Sequence, residues 1–168
     1  MAGALIVTAE LGASDQAWLN ALRLRHFPPE RNQLAAHLTM FHALPPSAES
    51  EARARLSRLG NEAPPVAEIA GLMDLGGGVA FRVVSPGLDA IREDLANSFH
   101  GLLSIQDSGG WRPHVTIQNK VASKVARALR EQMERSFEPR PLKIAGLGLH
   151  RYLGGPWEPI ALTRFRGN

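Results

Sequence analysis

The sequence predicts an α+β fold built mainly on antiparallel sheet. Strand-like and helix-like segments alternate along the 168 residues, a pattern that alone would also suit a doubly wound parallel sheet. A hairpin interrupts this alternation, because β-rich runs at residues 66–75 and 79–84 are separated only by Gly76-Gly77-Gly78. A short motif, H-x-T-x, also occurs twice, about half a chain apart, which indicates an internal duplication. We therefore expect one domain over residues 1–168, composed of two related lobes.

Apolar periodicity and breaking residues locate the individual elements. Alternating or β-rich runs predict strands, and apolar residues at helical spacing between Pro and Gly predict helices. The predicted strands lie at 4–11, 34–44, 66–75, 79–84, 111–120, 142–150 and 160–165, and the predicted helices at 16–26, 49–59, 86–102 and 121–137. Ser14 and Asp15 precede the first helix as capping residues. The glycine triplet is expected to be a turn, since no lysine and helix follow it as in a phosphate-binding loop.

The composition excludes several classes of site. The chain has no cysteine, so it contains neither disulfides nor thiolate zinc sites. No spacing typical of histidine and carboxylate metal ligands occurs, and we expect no cofactor. The first residues lack a basic leader, and no apolar run approaches the length of a membrane span, so we expect a soluble, cytoplasmic protein. The 16 arginines against 3 lysines suit an anionic ligand, although the composition of a GC-rich genome explains them equally well.

The repeated motif combines groups that suit phosphate chemistry. The first motif is His37-Leu38-Thr39-Met40, and the second is His114-Val115-Thr116-Ile117, with the two histidines 77 residues apart. In a strand, alternate side chains share a face, so each motif presents a histidine and a threonine on one side and two apolar residues on the other. Imidazole gives or takes a proton near neutral pH, and a hydroxyl donates a hydrogen bond to a phosphate oxygen.

Alternation along the motif strands extends the candidate site. It places Arg112, Gln118 and Lys120 on the face of the second motif. A phosphate-binding role for Arg112 is balanced by the alternative that it is simply solvated at a strand end. The same alternation aligns Phe41 with the first motif, where it would either stack on a base or belong to the core. His42 is expected to point away from the site. His150, Tyr152 and Trp157 could border the groove, with packing or surface roles as the commoner alternative.

With two such motifs on strands, about half a small chain apart, the sequence resembles the two-histidine (2H) phosphoesterase superfamily, which includes the 2′-5′ RNA ligase-like proteins and RNA cyclic phosphodiesterases. This resemblance implies a bilobal α+β fold with a pseudo-twofold axis and helices packed outside antiparallel sheets. Each lobe then contributes one H-x-T-x strand to a central groove. By match to the motif, His37 and His114 are the catalytic acid and base, and Thr39 and Thr116 hold the phosphate.

The resemblance also implies a reaction. It is the metal-independent opening of 2′,3′-cyclic phosphates at RNA ends or on small nucleotides, or the formation of 2′-5′ linkages in the ligase direction. The sequence leaves open which histidine is the acid, because that depends on how the substrate lies. The alternative is a non-catalytic module that binds RNA or a nucleotide in the same groove. No membrane association and no obligate protein partner are expected.

Overall fold

The computed structural model describes residues 3–166, which form seven strands and five helices. The strands are β1 (Leu5–Leu11), β2 (Leu38–Leu44), β3 (Val66–Asp74), β4 (Val79–Val84), β5 (His114–Gln118), β6 (Arg140–Tyr152) and β7 (Trp157–Arg164). The helices are α1 (Ala13–His26), α2 (Glu49–Leu59), α3 (Pro86–Ser98), α4 (Ile105–Ser108) and α5 (Ser123–Glu134). None of these helices has the length and apolar character needed to cross a membrane.

The predicted α+β class with antiparallel sheet is confirmed, since every strand pair is antiparallel. Each predicted segment contains the expected element, but some bounds differ. The third helix ends at Ser98 rather than at 102, and the short α4 was not predicted. The side chain of Ser104 begins α4 by accepting a hydrogen bond from the backbone N–H of Asp107 at 3.2 Å. A single helical turn carries too little apolar periodicity to be recognised in sequence.

The strand order has the symmetry of a duplication. Six strands follow the path β2-β1-β6-β3-β4-β5, and β7 pairs with β6 beside this path. Exchanging β1 with β4, β2 with β5 and β3 with β6 gives the same order read backwards. The first lobe therefore corresponds to β2-β1-β6 and the second lobe to β5-β4-β3, as the predicted pseudo-twofold requires.

The long strand β6 joins the two lobes. Its first residues, from Arg140 to Lys143, pair with β3, whereas the residues from Ile144 to Arg151 pair with β1. The outermost strands of the path, β2 and β5, contact each other, so the sheet curls until its two ends meet. These are the two strands that carry the H-x-T-x motifs. The fold thus brings together motifs that are far apart in sequence.

Two local expectations have different outcomes. The glycine triplet forms the β3–β4 turn, in which Leu75 N–H donates to Gly78 O at 3.0 Å and Gly76 adopts a positive φ of 82°. The predicted capping role of Ser14 and Asp15 is wrong, because α1 begins earlier, at Ala13, and no side chain caps it. The carboxylate of Asp15 instead accepts the backbone N–H of Lys143 at 2.8 Å, which ties α1 to β6.

Candidate active site

The two motif histidines are oriented in the same way. His37 lies immediately before β2, and its Nδ1 is 2.8 Å from the carbonyl oxygen of Ala35. His114 is the first residue of β5, and its Nδ1 is 2.8 Å from the carbonyl oxygen of Arg112. A carbonyl oxygen can only accept, so each ring donates from Nδ1, and Nε2 is left for another partner. Each histidine is therefore held by the backbone two residues upstream.

The ring of His37 has a strongly perturbed pKa, and it lies at the meeting point of β2 and β5. Burial lowers the pKa of His37 to about 4, and the charges of Arg23, His114 and His150 act in the same direction. The hydrogen bond to Ala35 opposes this shift. The strands that carry the two rings are neighbours, because β2 and β5 contact each other. With its lowered pKa, His37 is neutral at physiological pH.

An open cavity of about 230 Å³ lies where the two lobes meet. It is bordered by His37 from the first motif and Thr116 from the second. The remaining lining residues are Arg23, Phe27, Arg31, Gln33, Leu34, Asn119 and Gly155. Both motif threonines are partly exposed on their strands. The region has room for an anion and provides cations around it, as binding of a phosphate requires.

Two predicted site residues are turned into the core by β-bulges. Thr39 pairs with Thr8, but Phe41 rather than Met40 pairs with Val7, so Met40 is the extra residue of a bulge. Phe41 therefore faces the interior and is 0% exposed, which contradicts its predicted contact with substrate. The second motif ends in the same way, because Thr116 pairs with Ala80 while Gln118 pairs with Val79. Gln118 is buried, and the polar face predicted to reach it ends at Thr116.

Arg112 and Lys120 remain at the ends of the second motif strand. Both side chains are exposed. Lys120 lies beyond the end of β5 and has a positive φ of 65°, so it does not continue the alternation of the strand. The phosphate-binding role of Arg112 stays a prediction.

Each motif strand is an outer strand whose free edge is hydrogen-bonded by an arginine from the other half of the chain. Arg92 of α3 donates from Nε to Met40 O at 2.9 Å. Arg23 of α1 donates from Nη1 to Thr116 O at 2.9 Å. Both arginines are buried, and burial lowers the pKa of each guanidinium. They satisfy carbonyl groups that the sheet leaves unpaired, and so they fix the motif strands in place.

The edge of β2 carries a further buried group, Asp107 of α4. Its carboxylate accepts the backbone N–H groups of His42 and Ala43 at 2.8–2.9 Å, and it lies 3.0 Å from Nδ1 of His42. Burial alone would raise the pKa of Asp107, but these hydrogen bonds outweigh it and hold the pKa below its usual value. His42 contributes to this edge contact. Its predicted orientation away from the site assumed a regular strand, which the bulge at Met40 interrupts, and it stays a prediction.

A third histidine, His150, borders a small cavity with His37 and Trp157. This is the groove-side role expected as an alternative for His150 and Trp157, whereas Thr8 and Glu10, which border the same cavity, were not predicted to lie there. Nε2 of His150 is 3.0 Å from Oγ1 of Thr8, and this hydroxyl donates to Glu10 at 2.9 Å. The ring of Trp157 contacts both histidines, with its centroid 4.8 Å from that of His37 and 5.4 Å from that of His150. The cavity has a volume of about 170 Å³ and borders all five side chains. The alternation of Thr8 and Glu10 on the first predicted strand was the available signal.

The described residues include no group of three or more His, Cys, Asp or Glu side chains placed to hold a metal ion. The polar side chains that line the cavity with His37 and Thr116 belong to arginine, glutamine and asparagine residues, which can donate hydrogen bonds to an anion.

Comparison with known proteins identifies the family. The family model of the 2′-5′ RNA ligase superfamily matches residues 12–156. No curated protein sequence matches the chain significantly. Solved structures with the same fold include TT0787 of Thermus thermophilus, at 16% identity and a TM-score of 0.67, covering 98% of this chain and 99% of that one. E. coli LigT complexed with 3′-AMP has 17% identity and a TM-score of 0.62, covering 99% and 100%. The chain therefore belongs to the 2′-5′ RNA ligase superfamily of two-histidine phosphoesterases.

Proposed function

We propose that the chain is a phosphodiesterase that opens 2′,3′-cyclic phosphates, at RNA ends or on small nucleotides, without a metal ion. The observation that carries this proposal is the matched orientation of His37 and His114 where β2 and β5 meet. Each ring donates from Nδ1 to a carbonyl, so both Nε2 atoms are available to one phosphorus. Because the groove needs a histidine from each lobe, the two lobes would act as one domain.

The surroundings of the histidines favour one assignment of roles. His37 has a pKa of about 4 and is neutral, so it is suited to accept a proton from the attacking water. A protonated His114 would then donate its Nε2 proton to the ribose oxygen that leaves as the ring opens. A positive charge on His114 lowers the pKa of His37, which helps to keep His37 in the neutral form that can accept a proton. Formation of a 2′-5′ linkage would use the same groups in exchanged roles.

The threonines and arginines would stabilise the phosphate. We propose that the hydroxyl groups of Thr39 and Thr116 donate to its non-bridging oxygens, and that the exposed Arg112 contributes charge. Fixed donors around a phosphorane-like transition state lower its energy without reorganisation, which is the role that a metal ion has in other phosphoesterases. The complex of LigT with 3′-AMP supports a nucleotide as the class of ligand.

The decisive experiment is incubation of the protein with adenosine 2′,3′-cyclic phosphate in the presence of a chelator. We expect an adenosine monophosphate, detected by phosphorus NMR, and its chemical shift tells whether the 2′- or the 3′-phosphate is formed. Binding of the cyclic phosphate without any product would instead support the alternative, a nucleotide-binding module that lacks turnover. Product that forms only when a divalent metal is restored would contradict the two-histidine mechanism.

A further inference from the structure

One arginine beside the second motif has no role in the proposed reaction. Arg82 of β4 pairs directly with His114 of β5, and residues that face each other in an antiparallel pair project from the same side of the sheet. The side chain of Arg82 is exposed. Arg82 therefore lies on the face that presents the imidazole of His114.

The guanidinium of Arg82 extends across the sheet, away from His114. Its partner on β3 is Gly71, and a Cβ atom built there would lie 3.1 Å from Nη2 of Arg82. Because Gly71 has no side chain, the guanidinium can lie directly over the backbone of β3. Its Nη2 is 3.4 Å from Ala70 O, which is a long and weak contact. Most of the donors of Arg82 are thus free.

The charge of Arg82 is also uncompensated. Across residues 3–166, no carboxylate lies within 4.0 Å of the nitrogen atoms of Arg82, nor of those of Arg112 two residues before His114. Other surface arginines, such as Arg53 and Arg55, have a glutamate one helical turn away. An unpaired arginine on the face of a catalytic histidine is available to an anion.

The duplication provides a second, independent observation. Thr39 pairs with Thr8 in the first lobe and Thr116 pairs with Ala80 in the second, so the counterpart of Arg82, two residues further along its strand, is Glu10. Even the neighbouring glycine is repeated, since Glu10 pairs with Gly146 as Arg82 pairs with Gly71. The two ends of the groove are therefore built alike but carry opposite charges. An anion would be attracted at one end and repelled at the other.

We propose that Arg82 binds a second phosphate of the substrate, the 5′-phosphate of the nucleoside whose cyclic phosphate is opened. This inference rests on the proposed function and adds a specificity-determining residue to it. The chain of an RNA substrate then leaves the groove over the second lobe, on the side of His114. The first lobe, with Glu10 beside His37, contacts only uncharged parts of the substrate.

Binding of two stable nucleotides tests this proposal without requiring turnover. Titration calorimetry at low salt would compare adenosine 3′-phosphate with adenosine 3′,5′-bisphosphate, which differ only in the 5′-phosphate. We expect the wild-type protein to bind the bisphosphate about tenfold more tightly, as a charge-assisted hydrogen bond near the surface allows. Arg82→Gln should reduce this ratio to about twofold or less, whereas Arg82→Lys, which keeps the charge, should retain part of it.

Arg127→Gln is the matched control, because Arg127 is an exposed residue of α5. Phe137, just beyond the end of this helix, packs near Phe81. Since Phe81 and Arg82 are adjacent on β4, they face opposite sides of the sheet, so this end of α5 lies on the side away from Arg82. This variant removes the same charge from the protein and should keep the wild-type ratio. An unchanged ratio in Arg82→Gln, or no preference in the wild type, would overturn the proposal.

The outcome is separable from that of the proposed function. A wild-type protein that hydrolyses adenosine 2′,3′-cyclic phosphate but ignores the 5′-phosphate would overturn the role of Arg82 alone. A preference for the bisphosphate that depends on Arg82, without any hydrolysis, would overturn the enzymatic proposal and support the second phosphate site. Failure to bind either nucleotide would overturn the role of Arg82, whereas the proposed function would still be decided by hydrolysis of the cyclic phosphate.

Discussion

The two motif strands, β2 and β5, are held by the same kinds of contact but differ in the side chains that lie near their histidines. In both, a carbonyl two residues upstream orients the histidine, a bulge follows the threonine, and a buried arginine from the opposite half bonds the free edge. Around His37 lie Trp157, His150 and the carboxylate of Glu10. Beside His114, in contrast, the cross-strand partner is Arg82 and the residue two positions upstream is Arg112, and both are exposed. The duplication thus preserves the geometry of the histidines, whereas the side chains around the two rings have diverged.

The largest expected effect comes from removing either histidine. His37→Ala and His114→Ala should each lower kcat by about 10²- to 10⁴-fold, because each removes one of two proton transfers. The measurement is turnover of adenosine 2′,3′-cyclic phosphate under saturating conditions, with folding checked by circular dichroism. His100→Ala, at an exposed position after α3, is the control and should be fully active. If one motif variant kept normal turnover while the other lost it, the two motifs would not share the reaction.

The next effect distinguishes the edges of the two motif strands. Asp107→Ala should lower the free energy of unfolding by about 3 kcal/mol, because it leaves the N–H groups of His42 and Ala43 without an acceptor. Denaturant titration measures this loss, and Asp94→Asn, an exposed acid of α3, should change it little. Asp107→Ala should not affect the edge of β5, because there the carbonyl oxygen of Thr116 accepts a hydrogen bond from Arg23 instead. A change below about 1 kcal/mol in Asp107→Ala would show that water replaces the carboxylate at the edge of β2.

The sequence predicts the strands, helices and H-x-T-x motifs better than it predicts the side chains that lie around the two histidines. Period-two and helical patterns are local, so they located nearly every element and put both motifs on strands. The bulges at Met40 and Ile117 depend on how β2 and β5 pair with β1 and β4, and nothing within the motifs indicates them. That is why Phe41 was assigned to the wrong face.

The neighbours of the histidines are also set by long-range contacts. Thr8 and His150 are 142 residues apart in sequence and meet only because β1 pairs with β6. Arg23 and Arg92 look like ordinary helix residues until the edge they bond is known. Asp107 lies near two glycines in a segment with no recognisable periodicity. Residues that tune a site are therefore harder to predict than the residues that react in it.

The threonines offer a symmetric test of a smaller effect. Thr39→Val and Thr116→Val keep the shape of the side chain but remove its hydroxyl, so each should reduce kcat/KM by roughly ten- to a hundredfold, as loss of a hydrogen bond to a charged group would. Steady-state kinetics with the cyclic phosphate measures both, and Ser136→Ala at an exposed position is the control. Equal losses would show that the phosphate lies midway between the motifs, and unequal losses that it is held by one lobe.

The smallest effect concerns the environment that separates the two histidines. If His37 is the base, kcat/KM should fall on the acid side with a midpoint near pH 4, because protonation of the free protein removes the acceptor. Trp157→Ala admits water to the ring of His37, and since burial is the main cause of its low pKa, the midpoint should rise toward 6.5. Trp157→Phe retains an aromatic neighbour and should stay close to the wild type. An acid limb near pH 6.5 in all three proteins would mean that His37 is not the group that must be neutral, and the roles of the two histidines would have to be exchanged.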